Sequence, residues 1–183
     1  MPKTVAIRDL DGLYPPVREL VEEAVQDMQH FLDVRYPGTT WIITETIRSR
    51  ARQRELYASG RTVPGPILTR TLESLHLLGL AVDGAWKHAN GDVVWNWPSD
   101  LANYWGHCLR ANGMDWGGDW KSPDMPHGQL KGIDKATRDR AATVAHGYWS
   151  EGLHPAKDAS RSPGHPGPRG REKVIPANGE SNG

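Results

Sequence analysis

SLHLLGLAVDGAW, residues Ser74 to Trp86, is almost wholly apolar, yet it carries a histidine at position 76 and an aspartate at position 83. Its second half, Leu80 to Trp86, has the length and apolar character of a buried strand, with Gly84 near its end. An imidazole and a carboxylate in such a segment need partners, because burying a polar group alone costs roughly 2–7 kcal/mol. Two kinds of partner are available. A histidine in an apolar segment is most often a hydrogen-bonded core side chain, and an aspartate before glycine commonly begins a turn. The other partner is a metal. Zinc accepts neutral imidazole nitrogen and carboxylate oxygen, and a catalytic site takes three protein ligands and keeps a fourth position for water. The third ligand must then come from elsewhere, and His127 in DMPHGQL is the best candidate. Asp124, three residues earlier, is a carboxylate that could take a proton from water at the metal. After Pro123 it could equally be an Asx-turn residue, and Pro126 forces an extended approach to His127.

The flanking segments surround this one with helices and short strands. Residues Pro15 to Val34 read as a helix: two prolines open it, and Val17, Leu20, Val21, Ala24, Met28, Phe31 and Leu32 recur at helical spacing. Thr40 to Ile47 is rich in β-branched residues and reads as a strand, followed by an arginine-rich helix that Gly60 stops. Asn90 to Asp92 forms a turn before the short strand VVWNW, and Ser99 or Asp100 can cap a helix through Leu109. NGMDWGGDW is a loop dense in glycine and tryptophan, and a further amphipathic helix runs from Lys135 to Trp149. Residues 154–183 are rich in Pro, Gly, Ser and charge, and cannot bury enough apolar area to offset ordering entropy. The expected organisation is one domain over 1–153 and a disordered tail over 154–183.

Composition narrows the function classes. The 183 residues carry 22 basic and 22 acidic side chains, so the electrostatic footprint of a nucleic-acid binder is missing. The single cysteine, Cys108, lies in an apolar-patterned stretch and reads as core filler. No apolar run approaches the roughly 18 residues needed to span a membrane. The first residues have neither an apolar h-region nor a small-residue cleavage site, so the chain is expected to be made in the cytoplasm without a signal peptide. Of the eight histidines, His154 and His165 lie in or beside the tail, and His88, His107 and His146 read as surface or helix residues. The tryptophans at 95, 97, 105, 116 and 120 read as amphipathic anchors of a small core in preference to sugar-stacking platforms.

Three blocks, in order, carry a family resemblance. The run from Ser74 through His76, Gly79 and Ala81 to Asp83 fits S-x-H-x-x-G-x-A-x-D. Trp116-Gly-Gly-Asp-Trp120 precedes Asp124-Met-Pro-His127, and Arg48-Ser49 precedes Gln53, Leu56, Tyr57 and Gly60-Arg61-Thr62. Over about residues 15–130 the sequence resembles the zinc-dependent D-alanyl-D-alanine carboxypeptidase and L-alanyl-D-glutamate peptidase family, in the branch that contains phage endolysins. Two positions depart from that pattern: Gly128 stands where relatives usually carry an aromatic, and Ile47 where tyrosine is frequent.

The resemblance implies an α+β fold, with a small antiparallel sheet carrying the zinc site and helices packed around it, the fold shared by hedgehog signalling domains and D-Ala-D-Ala peptidases. It implies Zn2+ bound by His76, Asp83 and His127, Asp124 as the catalytic carboxylate, and Arg48 as the group that binds and stabilises the substrate oxyanion. The implied substrate is the peptidoglycan stem peptide, cut between L-alanine and D-glutamate by a monomeric phage endolysin or other wall lysin. Release through a holin-opened membrane would follow in the phage case. The alternatives are a D-alanyl-D-alanine carboxypeptidase or dipeptidase and a zinc-containing binding domain of the same fold without catalysis; a base at Asp124 separates an enzyme from a binder.

Overall fold

The computed structural model describes residues 4–151, so the tail, with His154 and His165, lies outside the described residues. Among the described residues, four α-helices surround a five-stranded antiparallel sheet. Helix α1 (Pro15–Arg35) begins on its two prolines, whose fixed φ suits the first turn, and turns Val17, Val21, Ala24, Met28 and Leu32 inward. Strand β1 (Thr40–Glu45) follows, then α2 (Arg50–Ala58), whose first turn is capped by the Ser49 hydroxyl accepting from Arg52 N–H. A 3-10 turn (Leu75–Leu78) leads into β2 (Ala81–Lys87), the strand read from the opening segment. Next come β3 (Val93–Val94), α3 (Ser99–Ala111), β4 (Met114–Trp116), β5 (His127–Leu130) and α4 (Lys135–Ser150).

The sheet runs β1-β2-β5-β4, with β3 pairing the far end of β2. β2 is therefore covered on both edges, and Asp83 faces Glu45 on one side and His127 on the other. Helices α1 and α3 pack into the main core, where Leu101, Trp105, Cys108 and Leu109 meet Met28, Leu32, Leu80 and Val82. A smaller cluster of Ile47, Ala145 and Tyr148 attaches α4 beside the Leu75–Leu78 turn.

Three local readings are corrected. The first strand ends at Glu45, not Ile47, because the pairing with β2 shifts between Ile43 and Glu45; Ile47 leaves the sheet and is buried against α4. NGMDWGGDW is not wholly loop, since Met114–Trp116 adds an edge strand. Neither Ser99 nor Asp100 caps α3: Pro98 stands at the cap, and the Asp100 carboxylate accepts from the Tyr36 hydroxyl at 2.8 Å. The tryptophans divide: Trp105 and Trp116 are buried, Trp97 packs at the core margin, and Trp95 and Trp120 are 58% and 39% exposed.

Candidate metal centre

His76 sits in the 3-10 turn that the Ser74 hydroxyl caps and Gly79 ends. Gly79 has φ +63, and a Cβ there would lie 2.5 Å from the Gly12 carbonyl oxygen, so only glycine lets the turn close at this point. The His76 Nδ1 meets the Thr46 carbonyl oxygen at 2.6 Å. A carbonyl can only accept, so Nδ1 carries the proton and Nε2 offers its lone pair to the site. That Nε2 is buried without a hydrogen-bond partner.

Asp83 projects from the middle of β2 between the two histidines. Its Oδ2 lies 3.3 Å from His76 Nε2 and its Oδ1 lies 3.1 Å from His127 Nδ1. His127 opens β5 directly across from Asp83. Its Nε2 lies 3.2 Å from Gln129 Oε1, which leaves Nδ1 directed at Asp83. One ligand atom from each of the three residues falls within 4.8 Å of the others. Two imidazoles and one carboxylate form a zinc-type donor set, and the partnerless buried Nε2 is an atom that such an ion would satisfy. Thr46 O and Gln129 Oε1 hold the outer nitrogens of the two rings, as metal-binding histidines require.

The electrostatics agree with a compact charged cluster. Burial opposes ionisation of Asp83, but the charge of His76 and the hydrogen bond from His127, both present only when those rings are protonated with no ion bound, hold its carboxyl well below the usual range. Burial works against protonation of His127, but the hydrogen bond and charge of Asp83 outweigh it and raise its pKa. Asp124 is solvent-exposed as a residue, yet partial burial of its carboxyl and the charge of Asp83 raise its pKa, against the pull of His127, His76 and Arg48.

Backbone bonds set the Asp124 to His127 loop. Asp124 N–H donates to Gly117 O at 2.9 Å, Trp116 Nε1 to Met125 O at 2.9 Å, and Trp105 Nε1 to Pro126 O at 3.2 Å. Two core tryptophans thus pin the loop that presents the last histidine. Trp120 leans on that histidine, with ring centroids 5.1 Å apart. Ser74 makes its cap bond to His76 N–H and serves the turn locally.

Arg48 is buried, and its guanidinium is held by Gln53 Oε1 at 2.8 Å and by Glu45, while Nη2 lies 3.5 Å from Asp83 Oδ2. It borders the cluster as a tethered cation. Sequence reading overlooked Glu45, Thr46 and Gln129. Glu45 left a trace as a charged residue in an apolar strand three positions before Arg48. Gln129 would follow from period-two alternation with His127 once β5 is recognised. The two departures from the family pattern also find causes. Gly128 abuts Leu109, whose Cδ2 would lie 2.6 Å from a Cβ, leaving no room for an aromatic. Ile47 fills a closed apolar site against α4.

Residues 68–130, which contain all three candidate ligands and Asp124, match the family model described as D-alanyl-D-alanine carboxypeptidase. The chain is 40% identical over 101 residues to the peptidoglycan L-alanyl-D-glutamate endopeptidase CwlK of Bacillus subtilis. That match takes in 49% of this chain and 60% of the relative's length. Among solved structures, the Serratia marcescens L-Ala D-Glu endopeptidase ChiX aligns with 32% identity and a TM-score of 0.49, over 67% of this chain and 83% of that one.

Proposed function

We propose that the chain, whose residues 68–130 match the D-alanyl-D-alanine carboxypeptidase family model, is a zinc-dependent peptidase that hydrolyses peptidoglycan stem peptides at the bond between L-alanine and D-glutamate. The observation that carries the reading is the convergence of His76, Asp83 and His127 within 4.8 Å, with both rings already oriented from behind. The likeness to an L-alanyl-D-glutamate endopeptidase supports the choice of bond.

In this reading His76, Asp83 and His127 hold the ion. When bound, zinc supplies Lewis acidity toward a carbonyl oxygen and a nucleophilic water near neutral pH. Asp124 takes the proton from the attacking water and returns it to the leaving amine, a task that its raised pKa suits. Arg48, fixed by Glu45 and Gln53, faces the developing oxyanion with a positive charge that needs no reorganisation. Among the described residues no helix is long and apolar enough to cross a membrane. The chain acts as a monomer on the wall after leaving the cytoplasm, as a phage endolysin or another lysin.

Mass analysis of fragments from defined muropeptides, with and without chelator, tests the proposal. New N-terminal D-glutamate ends, abolished by chelator, are expected. Free D-alanine would move the assignment to the carboxypeptidase that the family model's description names. No product from zinc-loaded protein would sink both. Asp124→Asn is expected to keep its zinc but lose about 10²–10⁴-fold in kcat; equal turnover would remove the base.

A further inference from the structure

The block Trp116 to Trp120 is only partly absorbed by the metal centre. Trp116 anchors the ligand loop, but Asp119 and Trp120 face elsewhere as well. Beside them lies an open groove of about 330 Å³ lined by Trp116, Trp120, Arg110, Asp115, Asp119 and Lys131. Trp120 is the side chain that this groove and the ligand cluster share, since it also leans on His127.

Sheet register places part of the groove's lining on the surface that carries the centre. Asp83 faces His127, and Asp115 faces Gln129. Directly opposed residues share a face, and His127 and Gln129, two apart on one strand, share it too. Asp115 therefore lies on the same side of the sheet as the candidate ligands, one strand further out, about 5 Å laterally. Lys131 continues the alternation just past β5. By the same register Met114 and Trp116, opposite Leu130 and Gly128, turn toward α3, which supplies Arg110, so the groove wraps the free β4 edge and meets the reaction surface through Asp115, Lys131 and Trp120.

Its lining combines an exposed indole with paired charges. Arg110 and Asp119 are joined at 2.8 Å, and the Arg110 guanidinium lies 5.3 Å from the Trp116 ring centroid. An aromatic face bordered by fixed hydrogen-bonding groups suits a sugar ring, which has an apolar C–H face and an equatorial edge of hydroxyl and amide groups. In peptidoglycan the L-alanine nitrogen is acylated by the lactyl group of N-acetylmuramic acid. A sugar therefore sits one lactyl group and one residue from the proposed scissile bond. We infer that this groove is a carbohydrate subsite that takes the N-acetylmuramic acid ring of the substrate, with Trp120 as its stacking platform. The inference rests on the L-alanyl-D-glutamate reading and deepens it: the preferred substrate is the glycan-attached stem, not free peptide.

The test compares two substrates that differ only in the sugar: an N-acetylmuramyl peptide, and the same peptide capped with D-lactate alone. Zinc-loaded wild type is expected to show kcat/KM about tenfold higher on the muramyl form, because contacts remote from the scissile bond contribute to transition-state binding. Trp120→Ala and Lys131→Ala, both at exposed positions, should bring the two values within about twofold of one another. Equal efficiency on both substrates in wild type, or a preference that survives both substitutions, overturns the subsite alone. Cleavage of neither substrate overturns the L-alanyl-D-glutamate reading and the subsite with it.

Discussion

Gln129 touches no candidate substrate position, yet it decides which nitrogen His127 presents. Its Oε1 holds the His127 Nε2 proton at 3.2 Å, as the Thr46 carbonyl holds the Nδ1 proton of His76 at 2.6 Å. The two histidines are thus mirror cases, one offering Nε2 and the other Nδ1. Thr46 acts through its backbone, so no side-chain substitution removes the acceptor. Gln129→Leu removes the other one cleanly. Zinc affinity should fall about 10–100-fold, measured by competition with a chelating dye. The imidazole ¹⁵N shifts of the metal-free variant should lose the Nε2–H tautomer signature of His127. Unchanged affinity and shifts would assign the tautomer to some other contact.

Among the elements, the 3-10 turn Leu75–Leu78 is the most sensitive joint. Gly79→Ala places a methyl carbon against the Gly12 carbonyl at a left-handed φ, and backbone cannot yield as a flexible side chain would. A destabilisation of about 1–3 kcal/mol is expected, read as a lower denaturant midpoint with unchanged slope. The same elements show what a reader of residues can and cannot see. The long amphipathic α1 and the strand β2 carry their period over enough residues to be plain. So does the 76–83 spacing, because a turn and the strand it feeds lie within one short segment. β4 and β5 are three and four residues long, flank a segment dense in glycine and tryptophan, and exist because β2 offers a free edge to β5 and β5 in turn to β4. Their pairing is tertiary, and so are the contacts of Glu45 and Gln129. Likewise Asp100 looks like a cap in sequence, but the Tyr36 hydroxyl from the end of α1 claims its carboxylate.

At the scale of the whole molecule, the candidate ligands tie the 3-10 turn, β2 and β5 to one point. An ion bound only by the folded state adds RT ln(1 + [zinc]/Kd), about 4 kcal/mol at a thousandfold excess over Kd. Chelation should therefore lower Tm by several degrees, followed by differential scanning calorimetry, and Asp83→Ala should abolish the response to zinc. The core on the other side of the sheet behaves independently. Burial, then the charge of Asp27, pushes the Cys108 thiol up from 9.0 to about 12. At pH 8 it is neutral and closed to iodoacetamide, and labelling should appear only in denaturant, counted by intact mass. Above pH 9 the unfolded chain loses this proton before the folded one does, so the group reduces stability progressively between pH 9 and 12.

The opposition of Asp83 and His127 across β2 and β5 carries one more implication. A chain paired a single position out of step would turn one of these side chains to the reverse of the sheet and lose its grip on the ion. On the proposed reading, capture of zinc would act as a proofreading event during assembly, selecting the correctly aligned pair of sequence-distant strands from among their slipped competitors.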